Sequence, residues 1–178
     1  TFIESGYEVV IVDDLSNSSI KVLDSIKKIT GVKPVFFQVD VTDKEAMTEI
    51  FEHHDFAGII HFAGYKAVGE SVALPLKYYY NNLVSTITLA ELATKYEIKH
   101  IVFSSSATVY GDQASPLYET SPLYETTNPY GETKKMCERI LKDAVKANDK
   151  LGVTLLRYFN PIGAHKSGLI GEVPNGIP

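Results

Sequence analysis

The sequence holds a single cysteine, Cys137, so no disulfide can close within the chain, and a lone thiol fits a reducing compartment. No role is assigned to it. Nowhere is there a stretch of about 18 apolar residues, and the first residues show no basic segment leading into an apolar run. A membrane span and a secretory signal therefore lack support, and the expected location is the cytoplasm. Basic charge is scarce too: 17 Lys and Arg stand against 22 Asp and Glu, leaving −5, and no helix face gathers the positive side chains. Nucleic acid and membrane are not expected partners. An anionic ligand would have to be met locally, for instance at a helix N-terminus. No metal site is assigned.

What the chain does have is a composition of 44% apolar and 22% charged residues over 178 positions, enough for one hydrophobic core. Apolar runs bounded by turn residues are Glu8 to Val12, Pro34 to Phe37, Gly58 to Phe62, His100 to Phe103 and Val153 to Leu156. Each reads as a buried strand. Between them, Ile20 to Ile29, Lys44 to Phe51, Leu83 to Tyr96 and Tyr130 to Ala147 carry apolar residues three and four apart, as core-facing helices do. Strand and helix alternate, and crossovers between parallel strands are right-handed, so the expected fold is α/β, a doubly wound parallel sheet. Thr1 to Gly6 reads as the last turn of a helix capped by glycine, with more chain expected before it. The repeat Ser115 to Thr120 and Ser121 to Thr126 is too short for a solenoid and reads as a duplicated surface loop. After Asn160 the chain turns glycine- and proline-rich and loses periodicity, like an exit from the sheet.

Ligands of an open parallel sheet bind beyond the carboxyl ends of its strands, so residues following each run are the ones to question. Asp13 and Asp14 follow the first run: a carboxylate there can accept from a ribose 2′-hydroxyl and repel a 2′-phosphate, or simply end a strand or cap a helix. Asp40 could meet an adenine edge or cap the helix starting near Thr42. Phe62 to Gly69 offers small residues for a close backbone approach, with Lys66 suited to phosphate or ribose, or else a tight turn with an exposed lysine. Ser104, Ser105 and Ser106 place hydroxyls where a substrate hydroxyl could bond, though a serine run is also a common loop.

Tyr130 and Lys134 are four apart, on one face of a helix that Pro129 helps to start. A phenol of pKa ~10 is a poor base near neutrality, but an adjacent ammonium and a cationic nicotinamide ring would both favour phenolate. Such a tyrosine could exchange a proton with a sugar hydroxyl while hydride moves to or from the cofactor. The spacing also arises by chance; its setting after a serine-bearing strand is what singles it out.

With those serines one crossover earlier, Tyr130 and Lys134 resemble the catalytic set of the extended short-chain dehydrogenase/reductases. The whole chain is similar to the UDP-galactose 4-epimerase branch of that family, notably at Ile60 to Gly64, Lys66 to Ser71, Ser104 to Gly111 and Leu156 to His165. The resemblance implies conversion of UDP-galactose to UDP-glucose at sugar C4 through a 4-keto sugar, with NAD as cofactor. It implies that Tyr130 is the base and acid, that Lys134 holds nicotinamide ribose and lowers the tyrosine pKa, and that Ser106 bonds the reacting oxygen. By the same matching Asp13, Asp14, Asn17, Ser18, Asp40, Val41, Phe62, Ala63, Gly64, Lys66, Asn81, Ser106, Tyr130, Lys134 and Phe159 would line the NAD site. Lys66, Ser104, Ser105, Ser106, Tyr130 and Asn160 would meet the UDP-sugar. A homodimer is implied for the full-length protein, through helices such as those at Leu83 to Tyr96 and Tyr130 to Ala147.

Related dehydratases carry an Asp-Glu pair directly after the hydroxyl residue, where this chain has Ala107-Thr108, which disfavours elimination. Tyr65 stands where relatives usually have leucine. The first strand and its glycine-rich turn would precede Thr1. Residues 1–160 are thus expected to be a partial Rossmann-like NAD-binding domain, and 161–178 the start of a connection to a substrate domain. The rival readings are another nucleotide-sugar epimerase or reductase of the family, and a truncated or cofactor-sensing chain without catalysis.

Overall fold

Among the described residues, five strands, parallel within each sheet, alternate with helices. The computed structural model describes residues 1–172. The remainder of the expected 161–178 connection, residues 173–178, lies outside the described residues. The described residues fall into two compact units, Thr1–Asp43 with the stretch from Pro161 to Glu172, and Lys44–Asn160.

In the first unit β1 (Val10–Val12) pairs in parallel with β2 (Val35–Phe37), joined by α1 (Val22–Thr30). Leu23 is the buried residue of α1. The turn foreseen at the start is a 3-10 turn, Ile3–Ser5, whose cap Gly6 adopts φ 87° and donates its N–H to Ile3 O.

The second unit holds a three-stranded parallel sheet in the order β3 (Ile59–His61), β4 (His100–Ser106), β5 (Gly152–Tyr158). Helices α2 (Lys44–His53), α3 (Val68–Ala73), α4 (Pro75–Lys95) and α5 (Pro129–Ala147) connect and cover it. Ile101 and Phe103 of β4, Tyr78, Leu89 and Leu92 of α4, and Cys137 and Leu141 of α5 are buried. Each large apolar side chain so removed from water contributes about 1.5–3 kcal/mol. Among the described residues the strands form two parallel sheets, one of β1-β2 and one of β3-β4-β5. The expected α/β class and parallel pairing hold.

Two elements run further than the aliphatic pattern indicates. Helix α4 starts at Pro75, a proline at its first position, and not at Leu83. Strand β4 continues through all three serines, because β5 pairs with it residue by residue up to Ser106 and Tyr158.

Candidate functional site

Parallel pairing brings the carboxyl ends of β4 and β5 side by side, with Ser104 opposite Leu156, Ser105 opposite Arg157 and Ser106 opposite Tyr158. A 3-10 turn, Ala107–Tyr110, follows at once. Ser106 Oγ caps it, accepting from Thr108 N at 3.3 Å and from Thr108 Oγ1 at 3.0 Å. Ser106 and Thr108, then Gly111, Asp112 and Thr127 from the following loop, then Tyr158, Phe159 and Asn160 from the end of β5, line an open cleft of ≈ 400 Å³. The expected Ser106, Phe159 and Asn160 therefore share one cleft. Asp112, Thr127 and Tyr158 were not foreseen; they lie in a loop and at a strand end, where no periodicity marks them.

Strand alternation separates the serines. Ser105 is 2% exposed, and its hydroxyl donates to Glu138 Oε1 at 2.7 Å on the α5 side of the sheet. It faces α5, and the cleft lining does not include it.

Helix α5 starts where the sequence indicates. Asn128 Oδ1 accepts from Gly131 N at 2.8 Å, and Pro129 occupies the first turn. Gly131 permits a close approach: a Cβ there would meet Thr108 Cβ at 3.1 Å and its Oγ1 at 3.2 Å. The absence of a side chain at residue 131 thus lets the first turn of α5, which carries half-buried Tyr130, approach the turn that Ser106 caps. One turn on, Lys134 is 5% exposed, donates from Nζ to Ser104 O at 2.8 Å, and lies 4.8 Å from the Phe103 ring centre and 5.9 Å from that of Tyr130. Burial pulls the ammonium down from its ordinary value to about 8. A buried cation held this way is poised to meet an anion or a dipole.

The loop after β3 carries Phe62, Ala63, Gly64 and Lys66, with Phe62 64% exposed. Its anchor is Asn82, one residue beyond the expected Asn81. Asn82 Oδ1 accepts from Tyr65 N at 2.8 Å, and its Nδ2 donates to Tyr65 O at 3.1 Å and to Thr133 Oγ1 at 3.0 Å. Asn81 Nδ2 donates to the same Oδ1 at 3.0 Å. Loop, α4 and α5 are thereby tied beside Lys134. The unusual Tyr65 is accommodated: its ring packs 5.5 Å from that of Tyr78, with Lys77 Nζ 4.3 Å from its centre.

In the first unit the carboxylates after β1 organise their own turn. Asp13 Oδ1 accepts from Leu15 N at 2.7 Å and from Ser18 Oγ at 2.6 Å, and Asp14 Oδ1 accepts from Ser16 N at 2.9 Å. Asn17 and Ser18 are exposed in that turn. After β2, Asp40 Oδ1 accepts from Thr42 N and Thr42 Oγ1, both at 2.8 Å, while Val41 is buried.

A model of the NAD dependent epimerase/dehydratase family matches residues 1–175. Over 177 residues the chain is 56% identical to the UDP-glucose 4-epimerase of Bacillus subtilis (strain 168), covering 99% of this chain and 52% of that protein. The UDP-glucose 4-epimerase of Dictyostelium discoideum is 52% identical over 176 residues, covering 99% and 51%. The crystal structure of UDP-glucose 4-epimerase from Bifidobacterium longum in complex with NAD+ and UDP aligns with a TM-score of 0.95 at 48% identity, over 99% of this chain and 53% of that one. The chain spans about half the length of the curated relatives it matches.

Proposed function

The chain belongs to the NAD dependent epimerase/dehydratase family, and from that premise we propose that the full natural protein interconverts UDP-galactose and UDP-glucose at sugar C4. NAD is its cofactor, and the setting is galactose metabolism in the cytoplasm. The observation that carries the reading is Lys134, a buried ammonium fixed to the carbonyl of Ser104, one helical turn from Tyr130 and beside the strand that delivers Ser106 to the cleft.

The side chains suit the cofactor. In the first unit, carboxylates at Asp13 and Asp14 already accept from hydroxyl and N–H donors, as they would from ribose, with Asn17 and Ser18 in the same turn. Asp40 and Val41 are assigned to the adenine end. In the second unit, Phe62, Ala63, Gly64, Lys66, Asn81 and Phe159 are assigned to the cofactor, and Lys134 to the nicotinamide ribose. NAD held there would supply reversible hydride transfer at sugar C4.

The chain's own residues manage the proton. Tyr130 removes it from the sugar hydroxyl and restores it, acting as base and then as acid. Lys134 places its ammonium 5.9 Å from the Tyr130 ring centre. Ser106 holds the same sugar oxygen by a hydrogen bond, which fixes the carbon for transfer. Asn160, Lys66 and the Ser104 strand end help to orient the UDP-sugar. Ser105 is assigned to holding the strand, since its hydroxyl is committed to Glu138.

A coupled assay on the full natural protein tests this: UDP-galactose is consumed with no net change in NAD, and Tyr130→Phe loses nearly all turnover. Full activity in that variant would overturn the assigned base. Comparison of several nucleotide sugars separates this reading from other epimerases and reductases of the family. A homodimer through α4 and α5 is part of the proposal. Supporting it, an apolar groove of ≈ 540 Å³ includes Ile87, Ala90, Ile140 and Ala144, and Ile87 and Met136 are 41% and 38% exposed. Ile87→Glu should convert the dimer to monomer on a sizing column.

A further inference from the structure

Glu138 is a carboxylate where none is expected, on the inward face of α5 and 1% exposed. Arg157 grips it with two parallel bonds, Nε to Oε1 and Nη2 to Oε2, each 2.8 Å. Ser105 Oγ adds a third bond to Oε1 at 2.7 Å, and Lys142 Nζ a fourth to Oε2 at 3.2 Å. Burial raises the Glu138 carboxyl, but the bonds from Arg157 and Ser105 outweigh it and hold the group below the ordinary carboxylate range.

The position of this ion pair is what gives it a role. Glu138 lies one turn beyond Lys134 on α5, and its two inner partners, Ser105 and Arg157, are opposed across β4 and β5. Their neighbours on the strands are Ser104, which receives Lys134, and Ser106 and Tyr158, which line the cleft. Arg157 reaches further, lying 4.8 Å from the Tyr110 ring centre and donating from Nη1 to Glu119 O at 3.3 Å in the repeated loop. A slip of α5 along the sheet would have to break the Glu138 bonds.

We infer that Glu138 and Arg157 are positioning residues that lock α5 to the β4-β5 strand ends and so hold Tyr130 and Lys134 in register with Ser106. The inference rests on the epimerase reading for its kinetic consequence and on the geometry alone for its structural one. A displacement of about 1 Å at reacting groups costs on the order of 100-fold in rate. Loss of the lock therefore falls on turnover more than on substrate binding.

The test uses the full natural protein. In Glu138→Gln, kcat for UDP-galactose should fall by at least about tenfold with KM within roughly threefold. Lys142→Ala, which removes only the solvent-facing bond, should stay within about twofold of wild type. The single variant leaves Arg157 without its counter-charge, so Glu138→Gln/Arg157→Met provides the control: melting temperature should return toward wild type while kcat stays low. Recovery of kcat together with melting temperature, or an unchanged kcat in Glu138→Gln, would overturn the inference. Hydrogen exchange reads the lock independently of any reaction. Amides of Gly131 to Lys135 should exchange roughly tenfold faster in Glu138→Gln while those of Met47 to Phe51 in α2 hold steady. Equal acceleration in both segments, or none, sinks the lock even if the wild type does not turn over UDP-galactose. An inactive wild type with the selective acceleration refutes the epimerase reading and leaves the lock standing.

Discussion

The ammonium of Lys134 sits 2.8 Å from the carbonyl oxygen of Ser104, a buried charge held by a backbone dipole. Burial lowers it to about 8 from 10.5, so between those values the unfolded chain binds a proton that the folded chain does not. Stability therefore rises with pH across that window and carries the full penalty below it, about 3 kcal/mol for a shift of this size. Lys134→Met should remove the penalty and stabilise the fold by ~1–3 kcal/mol near neutrality, while on the proposed epimerase reading the full natural protein loses turnover. Denaturation midpoints beside initial rates check this; a destabilised, active variant would contradict it.

His61 carries the same sign into a more acidic window. Burial, with the nearby Lys134 charge, pushes it down to about 3 from 6.5, and its Nδ1 is buried without a hydrogen-bond partner. The ring stays neutral when folded, so its contribution is complete above pH 6.5 and is lost at about 1.4 kcal/mol per unit as pH falls toward 3. His61→Leu should flatten the stability profile between pH 6.5 and 4.5 by about that slope, read from urea unfolding at several pH values. Thr86 keeps a partner, because its Oγ1 also donates to Asn82 O at 2.9 Å.

Asn82→Ala should release the loop after β3. Three side-chain bonds to Tyr65 and Thr133 disappear, and the Tyr65 N–H and C=O lose their partner, for an expected cost of about 2–4 kcal/mol. In the full natural protein, NAD affinity should drop more than the melting temperature alone would imply. Calorimetric titration with NAD at a temperature where the variant is folded distinguishes the two.

Gly111→Ala should be among the harshest single methyl additions. The residue has φ 70°, and its Cβ would come within 2.4 Å of Glu125 O, a backbone atom that cannot step aside. A loss of about 2 kcal/mol or more is expected, with early proteolytic cleavage in the loop that follows residue 111 as the local readout.

Periodicity made the five strands and the latter part of α4 legible, yet it passed over the first turns of that helix for a definite reason. Tyr78, Asn82, Ser85, Thr86 and Leu89 are all buried at helical spacing, but mostly through hydroxyl and amide side chains bonded to other elements and to the helix backbone. A pattern that counts aliphatic residues cannot see them. Tyr130 and Lys134 stood out because their spacing is local. Glu138 and Arg157 did not: a charge amid the apolar Leu155, Leu156 and Tyr158 signals a partner, but nothing in one dimension couples it to a helix 19 residues earlier. Ser105 shows a reading that strand alternation could have refined, since consecutive residues face opposite sides.

Cys137, unused by any chemistry above, donates to Asn82 O at 3.3 Å from 1% exposure, and burial raises its thiol. The thiolate is what attacks a thiol reagent, so Cys137 is nearly silent toward such reagents until α4 and α5 part. The rate at which Cys137 becomes modified is therefore a stopwatch for helix opening, and a second cysteine engineered on the surface could accept a fluorophore against a dark background.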